Sequence, residues 1–201
     1  MRVIGFDLDM TLIDSRPQTM AAFEATARET GRPIDLAAVD RRLGIKLEEE
    51  IAYWFPAEDQ AAAVATYRRH YIRLAEEETL VLPGAREALA AVRAAGDKVV
   101  VITAKHPISV EPSLRVAGLN PDEVFTHVHG PEKAAVLREL RAAAYVGDSP
   151  PDMAAAVAAG VPAVGVATGS FGADTLYDAG AVVVLDSLEE FESWYSAFAT
   201  S

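Results

Sequence analysis

Residues 3–11 of the chain read VIGFDLDMT. The first four are apolar, as in a strand that is covered on both faces of a sheet. Asp7 and Asp9 follow directly and are two residues apart, so in an extended segment their side chains point to the same side. Two acidic groups placed in this way repel each other, and we interpret them as functional residues rather than as turn or helix-capping residues.

The composition is that of an ordinary globular protein with an excess of acidic residues. It has 201 residues, 51% of them hydrophobic, no cysteine and a formal net charge of −12. This predicts one domain, or one domain that carries a smaller inserted one. Without cysteine there is no disulfide and no thiolate zinc site, and we expect a cytoplasmic protein. The apolar runs are too short for a membrane span, and the acidic balance disfavours nucleic acid, so we expect a small-molecule partner and leave the oligomeric state open.

Short apolar runs typical of buried strands alternate with helical patterns along the chain. The predicted strands are 3–6, 99–102, 124–128, 144–146, 163–166 and 182–185. The predicted helices between and after them are 84–95, 108–117, 132–141, 151–159, 173–179 and 188–198. This alternation predicts an α/β fold with a Rossmann-like, doubly wound parallel sheet.

The connection between the first two predicted strands is far longer than one crossover helix requires. We interpret the surplus, residues 15–79, as an inserted all-α cap, and residues 1–14 and 80–201 as the core. The predicted cap helices are 17–29, 36–43, 47–54 and 58–77. A segment of this size is marginally stable alone and should pack against the sheet.

Polar residues follow several strands at the edge where an open α/β sheet binds its ligand. They are Asp7, Asp9, Thr103, Lys133, Asp148 and Asp152. At a separation of about 4 Å, each pair of like charges costs on the order of 4 kcal/mol at an effective dielectric near 20, so the acidic residues need a cation. A set of oxygen ligands favours Mg²⁺ over zinc.

The ordered set of motifs resembles the haloacid dehalogenase superfamily of phosphatases, in its phosphoglycolate-phosphatase-like branch with a helical cap. The first motif contains Asp7, Asp9 and Thr11 and continues to Asp14 and Ser15. Thr103, Lys133 and Asp148 occupy the second, third and fourth motifs, in that order. Each motif is weak alone, whereas the complete set at strand ends, spread over the whole chain, is specific.

The resemblance implies a role for each motif residue. Asp7 is expected to be the nucleophile that becomes an aspartyl phosphate, and Asp9 to act first as acid and then as base. Thr103 is expected to donate to a phosphoryl oxygen, and Lys133 to neutralise charge on the nucleophile and the transferring group. The side chains of Asp7 and Asp148, with the backbone carbonyl of Asp9, are expected to bind Mg²⁺.

Further residues are expected around this centre. Asp152 should orient Lys133 or a metal-bound water, while Thr11 and Ser149 should support the phosphate and the surrounding loops. The cap holds nine of the eighteen basic residues. The predicted specificity residues are Arg42, Gly44 and Lys46 in the cap and Lys105 and His106 at the rim of the core. His127 and His129 could form a metal pair, but without a third ligand we favour a structural role.

The sequence thus predicts a magnesium-dependent phosphatase acting on a small phosphomonoester, with phosphoglycolate as the first candidate. A nucleoside monophosphate phosphatase, a sugar phosphomutase and a non-catalytic binder of phosphorylated ligands stay open. Asp9 argues against a dehalogenase, because a departing halide needs no proton. The inserted cap and the position of Asp7 after the first strand argue against a receiver-type signalling domain.

Overall fold

The structure is a computed structural model that describes residues 1–43 and 45–200. Its strands are β1 (Val3–Phe6), β2 (Ile13–Asp14), β3 (Leu80–Val81), β4 (Lys98–Ile102), β5 (Glu123–Phe125), β6 (Ala144–Gly147), β7 (Ala163–Val166) and β8 (Val183–Leu185). Its helices are α1 (Arg16–Thr30), α2 (Leu36–Arg41), α3 (Leu47–Ala52), α4 (Ala57–Arg73), α5 (Ala75–Glu78), α6 (Ala85–Ala94), α7 (Pro107–Ala117), α8 (Pro131–Glu139), α9 (Pro150–Ala159), α10 (Ala173–Asp178) and α11 (Phe191–Thr200).

Six strands form one parallel sheet in the order β5-β4-β1-β6-β7-β8. Strand β1 therefore lies between β4 and β6, and its pairing with β6 continues past the strand, since Asp7 donates its N–H to the carbonyl of Val146 at 2.8 Å. One apolar cluster contains Phe6, Val101 and Phe191, and a second contains Val100 and Tyr145, so each side of the sheet is covered. The predicted α/β, Rossmann-like fold is confirmed.

The strand predicted over 124–128 is shorter in the structure and ends at Phe125. His127 has a φ of 59°, in the left-handed region, which turns the chain out of the extended conformation. The chain that follows β5 nevertheless stays beside the loop that follows β4. His127 donates its N–H to the carbonyl of Lys105, and Val128 donates to that of Thr103, each at 3.0 Å.

Helices α1 to α5 lie between β2 and β3 in the described part of the chain. The two strands pair antiparallel, with Ile13 opposite Val81, and so bring the two ends of the helical segment together. This pair was absent from the sequence prediction, because a two-residue strand is too short to carry a periodic signal. The helix predicted over 58–77 divides into α4, which ends at Arg73, and α5, which begins at Ala75.

The helical segment has an apolar core of its own. This cluster contains Phe23, Ile51, Phe55, Tyr67 and Tyr71 and is distinct from the clusters on either side of the sheet. A unit with its own buried cluster can behave as a body packed on the sheet. We retain 15–79 as the proposed extent of this cap.

Gln18 ties together three parts of the cap base. Its side-chain amide is fully buried, donates to the carbonyl of Tyr71 at 2.6 Å, and accepts the hydroxyl of Thr79 at 2.9 Å. It thereby links α1 to α4 and to the chain that enters β3. A buried amide with both ends bonded favours one arrangement of the elements it joins.

The described residues contain no helix that is both long enough and apolar enough to cross a membrane.

Replacing Gln18 by alanine should destabilise the cap. The substitution removes two buried hydrogen bonds and leaves a cavity, so we expect the free energy of unfolding to fall by about 2 kcal/mol. The measurement is urea denaturation followed by the fluorescence of Trp54 and by circular dichroism. Gln60→Ala is the matched control, since Gln60 is half-buried and makes one side-chain hydrogen bond, to the carbonyl of Phe55. Equal midpoints for the two variants would contradict the role assigned to Gln18.

Candidate active site

The sheet brings the predicted motif residues together at the carboxyl ends of its central strands. Asp7 follows β1, Thr103 follows β4 and Asp148 follows β6. Lys133 lies in the first turn of α8, which begins with Pro131, and Asp152 lies in the first turn of α9. All five of these side chains are buried.

Lys133 connects two of the aspartates. Its ammonium donates to Asp7 Oδ1 at 2.8 Å, to Asp152 Oδ1 at 2.7 Å and to the hydroxyl of Tyr145 at 3.0 Å. Burial by itself lowers the pKa of Lys133, but the charges of Asp152 and Asp7 outweigh it and raise the pKa well above its ordinary value. Lys133 therefore stays protonated, with its three donors directed at three oxygen atoms.

Tyr145 is a member of this centre that the sequence analysis missed. It is a fully buried residue of β6, and its hydroxyl lies 3.0 Å from the carbonyl of Ile102 and 3.2 Å from Asp152 Oδ1. The signal was present, because a tyrosine in the middle of a buried strand must find a partner for its hydroxyl. The hydroxyl of Tyr145 also accepts a hydrogen bond from Lys133 and so helps to fix the position of its ammonium.

Asp152 is occupied by protein donors on both carboxylate oxygens. Oδ1 accepts from Lys133, and Oδ2 accepts the hydroxyl of Ser149 at 2.5 Å. Gly147 permits this approach, since a Cβ on Gly147 would lie 2.5 Å from the Cβ of Asp152. Asp152 is thus arranged to orient Lys133, one of the two roles predicted for it, with Ser149 at its side.

Asp148 lies between two loops. The hydroxyl of Thr11 donates to its Oδ1 over a long 3.4 Å, and a Cβ on Gly169 would lie 1.9 Å from its Oδ2. Gly169, in the loop after β7, gave no motif signal in the sequence, yet only glycine fits there. Its neighbour Thr168 donates to the carbonyl of Met10 at 2.5 Å and so supports the loop after Asp9, where Met10 has a φ of 61°.

Carboxylate oxygens of Asp7, Asp148 and Asp152, which we call the carboxylate cluster, lie within 4.8 Å of one another. Burial, despite the opposing charge of Lys133, raises the pKa of Asp7 to about 7. Burial, followed by the charges of Asp7 and Asp152, raises the pKa of Asp148 to about 8. A hard divalent cation would relieve this repulsion, and Asp7 and Asp148 retain oxygens for it, so the donor set fits Mg²⁺.

Thr103 and Asp9 lie beside this cluster on the side that faces the cap. Thr103 is buried, and its Oγ1 accepts the N–H of Lys105 at 3.1 Å, which leaves its own proton for another acceptor. The side chain of Asp9 is 31% exposed, and its Oδ1 accepts from the ammonium of Lys105 at 2.6 Å. The same ammonium reaches the hydroxyl of Tyr71, in cap helix α4, at 2.5 Å.

The predicted specificity residues of the cap have unequal surroundings. Arg42 makes a two-pronged ion pair with buried Glu50, at 2.8 and 2.6 Å, and its guanidinium lies over the ring of Tyr53. Because this guanidinium is already bound by Glu50, we do not propose that Arg42 contacts the substrate. Lys46 is exposed, and Gly44 lies outside the described residues.

Three histidines meet at the rim of the core. The ring centroids of His106 and His127 are 5.6 Å apart, and those of His127 and His129 are 5.1 Å apart. His106 caps α7 by accepting the N–H of Ile108 at its Nδ1, at 3.4 Å. Among the described residues, the carboxylate cluster is the group with metal-ligand geometry. The structural role expected of His127 and His129 stays a prediction.

Models of two protein families match the sequence that carries this arrangement of residues. The model for haloacid dehalogenase-like hydrolases matches residues 4–156. The chain belongs to this family. A second model, for HAD-hydrolase-like sequences, matches residues 126–191.

Members of the family with similar sequences are phosphatases. The chain is 32% identical to the phosphoglycolate phosphatase of Cupriavidus necator, across 91% of this chain and 88% of the relative. It is 31% identical to the probable phosphatase IndB of Dickeya dadantii, across 94% and 90% of the two chains. A crystal structure of a predicted phosphoglycolate phosphatase from Haemophilus somnus has the same fold, with a TM-score of 0.83 and 19% identity over 97% of this chain and 98% of that one. The predicted resemblance is confirmed, and the chain is a phosphatase of this family.

The raised pKa values of Asp7 and Asp148 predict how stability depends on pH in metal-free buffer. Between about pH 4 and pH 8 the folded protein binds more protons than the unfolded chain, because both folded pKa values lie above the ordinary 3.8. The free energy of unfolding should therefore fall as the pH rises through this window. Thermal unfolding midpoints measured at intervals across the window check the sign.

Asp148→Asn should make that decline shallower, since it removes one of the two titrating groups. Asp178→Asn is the matched control, because Asp178 is exposed and its replacement changes the net charge by the same amount. If both variants show the same slope, the decline comes from general charge repulsion and the assignment to the buried aspartates is wrong.

Proposed function

We propose that the chain hydrolyses a small phosphomonoester in two steps, through an acyl phosphate of Asp7. The observation that carries the proposal is the contact of the Lys133 ammonium with both Asp7 and Asp152. This contact holds Asp7 in a fixed orientation and brings a buried positive charge next to the atom that would receive the phosphoryl group.

In the first step an oxygen of Asp7 forms a bond to phosphorus while the bond from phosphorus to the leaving oxygen breaks. Asp9 gives its proton to that oxygen, so the product leaves as an alcohol. In the second step Asp9 takes a proton from water, and the resulting hydroxide attacks phosphorus and releases inorganic phosphate and free Asp7. Splitting the reaction in this way replaces one very slow hydrolysis by two easier displacements.

The remaining groups stabilise charge during both steps. The hydroxyl proton of Thr103 is available to a phosphoryl oxygen, and the ammonium of Lys133 places a positive charge beside the phosphoryl group. The side chains of Asp7 and Asp148 and the backbone carbonyl of Asp9 would hold Mg²⁺, which when bound neutralises charge on the phosphoryl group. Thr11 and Ser149 support the loops of Asp148 and Asp152, in agreement with the contacts described above.

The proposed substrate is phosphoglycolate or a close analogue. The names of several relatives support this choice, as does an exposed lysine of the cap, Lys46. Lys46 is exposed and directly precedes α3. Burial, followed by the charge of Lys46, lowers the pKa of His129, so the cap lysine lies near the rim of the core. There it could meet the second anionic group of such a substrate. The cytoplasm remains the predicted location.

The first experiment is phosphate release from a panel of small phosphomonoesters with Mg²⁺. We expect kcat/KM above about 10⁴ M⁻¹s⁻¹ for at least one substrate, the lower end of ordinary enzyme efficiency. Asp7→Asn should abolish turnover without loss of fold, because an amide cannot serve as the nucleophile. Excess chelator should silence the enzyme, and Mg²⁺ should restore it.

Asp178→Asn serves as the matched control and should keep full activity. Appreciable turnover by Asp7→Asn would contradict the nucleophile, and full activity in chelator would contradict the metal. Dependence on a sugar bisphosphate activator would indicate a phosphomutase, and preference for nucleotides a nucleoside monophosphate phosphatase. If no substrate is cleaved, a non-catalytic binder becomes the better interpretation.

Lys46→Ala tests the substrate contact in the cap. Loss of a charged hydrogen bond costs about 1.5–3 kcal/mol, so kcat/KM for phosphoglycolate should fall about 10- to 100-fold. The value for phenyl phosphate, which has no second anion, should change far less. Lys98→Ala is the control, because Lys98 lies on the core at the far end of β4. Equal losses on both substrates would refute a selective role for Lys46.

A further inference from the structure

Lys105 is a buried cation that the proposed reaction does not use. Its side chain is 7% exposed, and its ammonium lies 2.6 Å from Asp9 Oδ1 and 2.5 Å from the hydroxyl of Tyr71. The ammonium also lies 4.7 Å from the centre of the Tyr71 ring. Lys105 belongs to the core and Tyr71 to the cap, so this contact crosses the boundary between them next to the proposed acid.

The backbone of Lys105 is fixed by the core. Its N–H donates to Thr103 Oγ1 at 3.1 Å, and its carbonyl accepts the N–H of His127 at 3.0 Å. Both partners lie in loops at the end of the parallel sheet. The ammonium of Lys105 thus extends toward Asp9 from a loop that is hydrogen-bonded to other residues of the core.

Tyr71 is fixed by the cap in the same way. It is buried in α4, its ring centroid is 5.7 Å from that of Tyr67, and its carbonyl accepts the amide of Gln18 at 2.6 Å. The position of its hydroxyl therefore follows the position of the cap. If the cap moved away from the core, Lys105 would lose this partner.

We propose that Lys105 is a positioning residue for Asp9 and that Tyr71 holds Lys105 in place while the cap lies on the core. The inference rests on the proposed function, in which Asp9 protonates the leaving group. The carboxyl group of Asp9 is partly exposed and can rotate about its side-chain torsions, and a hydrogen bond from a fixed ammonium to Oδ1 restricts that rotation and leaves Oδ2 to carry the proton. Docking of the cap on the core therefore also orients the side chain of Asp9.

The test compares two substrates of similar size that differ in their need for an acid. Phenyl phosphate has a poor leaving group that must be protonated, whereas 4-nitrophenyl phosphate has a good one. The quantity to measure is kcat/KM, which covers the steps up to departure of the leaving group. It isolates the first role of Asp9 from its later role as a base.

Lys105→Met keeps an unbranched side chain that is one atom shorter and removes its charge. We expect kcat/KM for phenyl phosphate to fall about 10- to 100-fold, within the range that acid catalysis supplies, and that for 4-nitrophenyl phosphate to fall less than about 3-fold. Tyr71→Phe removes one hydroxyl and should fold normally. It should show the same preference, with about a 5-fold loss on phenyl phosphate, as expected for a single hydrogen bond.

Two control variants account for changes in charge and packing. Lys98→Met removes a lysine from the opposite end of β4, and Tyr195→Phe removes a buried hydroxyl that donates to Asp97 at that same end. Each should alter the two kcat/KM values by the same factor. Unequal losses in either control would mean that the ratio reports general damage, and the inference would fall.

Asp9→Asn separates the inference from the proposed function. Asp9→Asn could lose activity mainly on phenyl phosphate while Lys105→Met loses it equally on both substrates. Lys105 would then bind the phosphate group or stabilise the fold, and the inference alone would be wrong. If Asp9→Asn has no such preference, or the unaltered protein cleaves neither substrate, the proposed acid is wrong and the inference falls with it. A shared preference in Asp9→Asn, Lys105→Met and Tyr71→Phe supports both.

Discussion

The buried ammonium of Lys133 is the interaction on which the site depends. Two aspartates, Asp7 and Asp152, lie buried at the end of an apolar sheet, and each accepts a hydrogen bond from this one cation. One cation compensates both and fixes their relative position. A buried ion group of this kind contributes little to stability by itself, because desolvation offsets most of the attraction, but removal of any one partner leaves a charge exposed to a medium that cannot solvate it. The arrangement therefore fixes the positions of the three side chains but adds little to the stability of the fold.

The strand order determines which residues can join this group. Because β1 lies between β4 and β6, the chain ends that carry Asp7, Thr103 and Asp148 come to the same edge, and α8 and α9 add Lys133 and Asp152 from their first turns. Close approach then depends on the absence of side chains at Gly147 and Gly169. Charge, topology and steric clearance are each necessary here, and none of them alone would assemble the site.

The sheet and the motif positions could be predicted from sequence, because continuous apolar runs and polar residues directly after them are local signals. The pair β2–β3 could not, since two residues carry no periodicity, and the clearance at Gly169 depends on a residue distant in the chain. Tyr145 could have been found as a polar tip in a buried strand. Lys105 was identified as a rim residue, but its contact with a cap tyrosine depends on how two separately folded surfaces meet, which no local pattern encodes.

The antiparallel pair β2–β3 has an evolutionary consequence. Both crossings between core and cap lie side by side at one place, and the helices beyond them bury their own apolar cluster. The segment between the crossings can therefore be lengthened, shortened or exchanged as a module while the ends of the sheet keep their positions. Selection can act on what the protein recognises separately from the chemistry it performs, and the few side chains that cross the boundary, such as Tyr71, are the ones that must change together with the core.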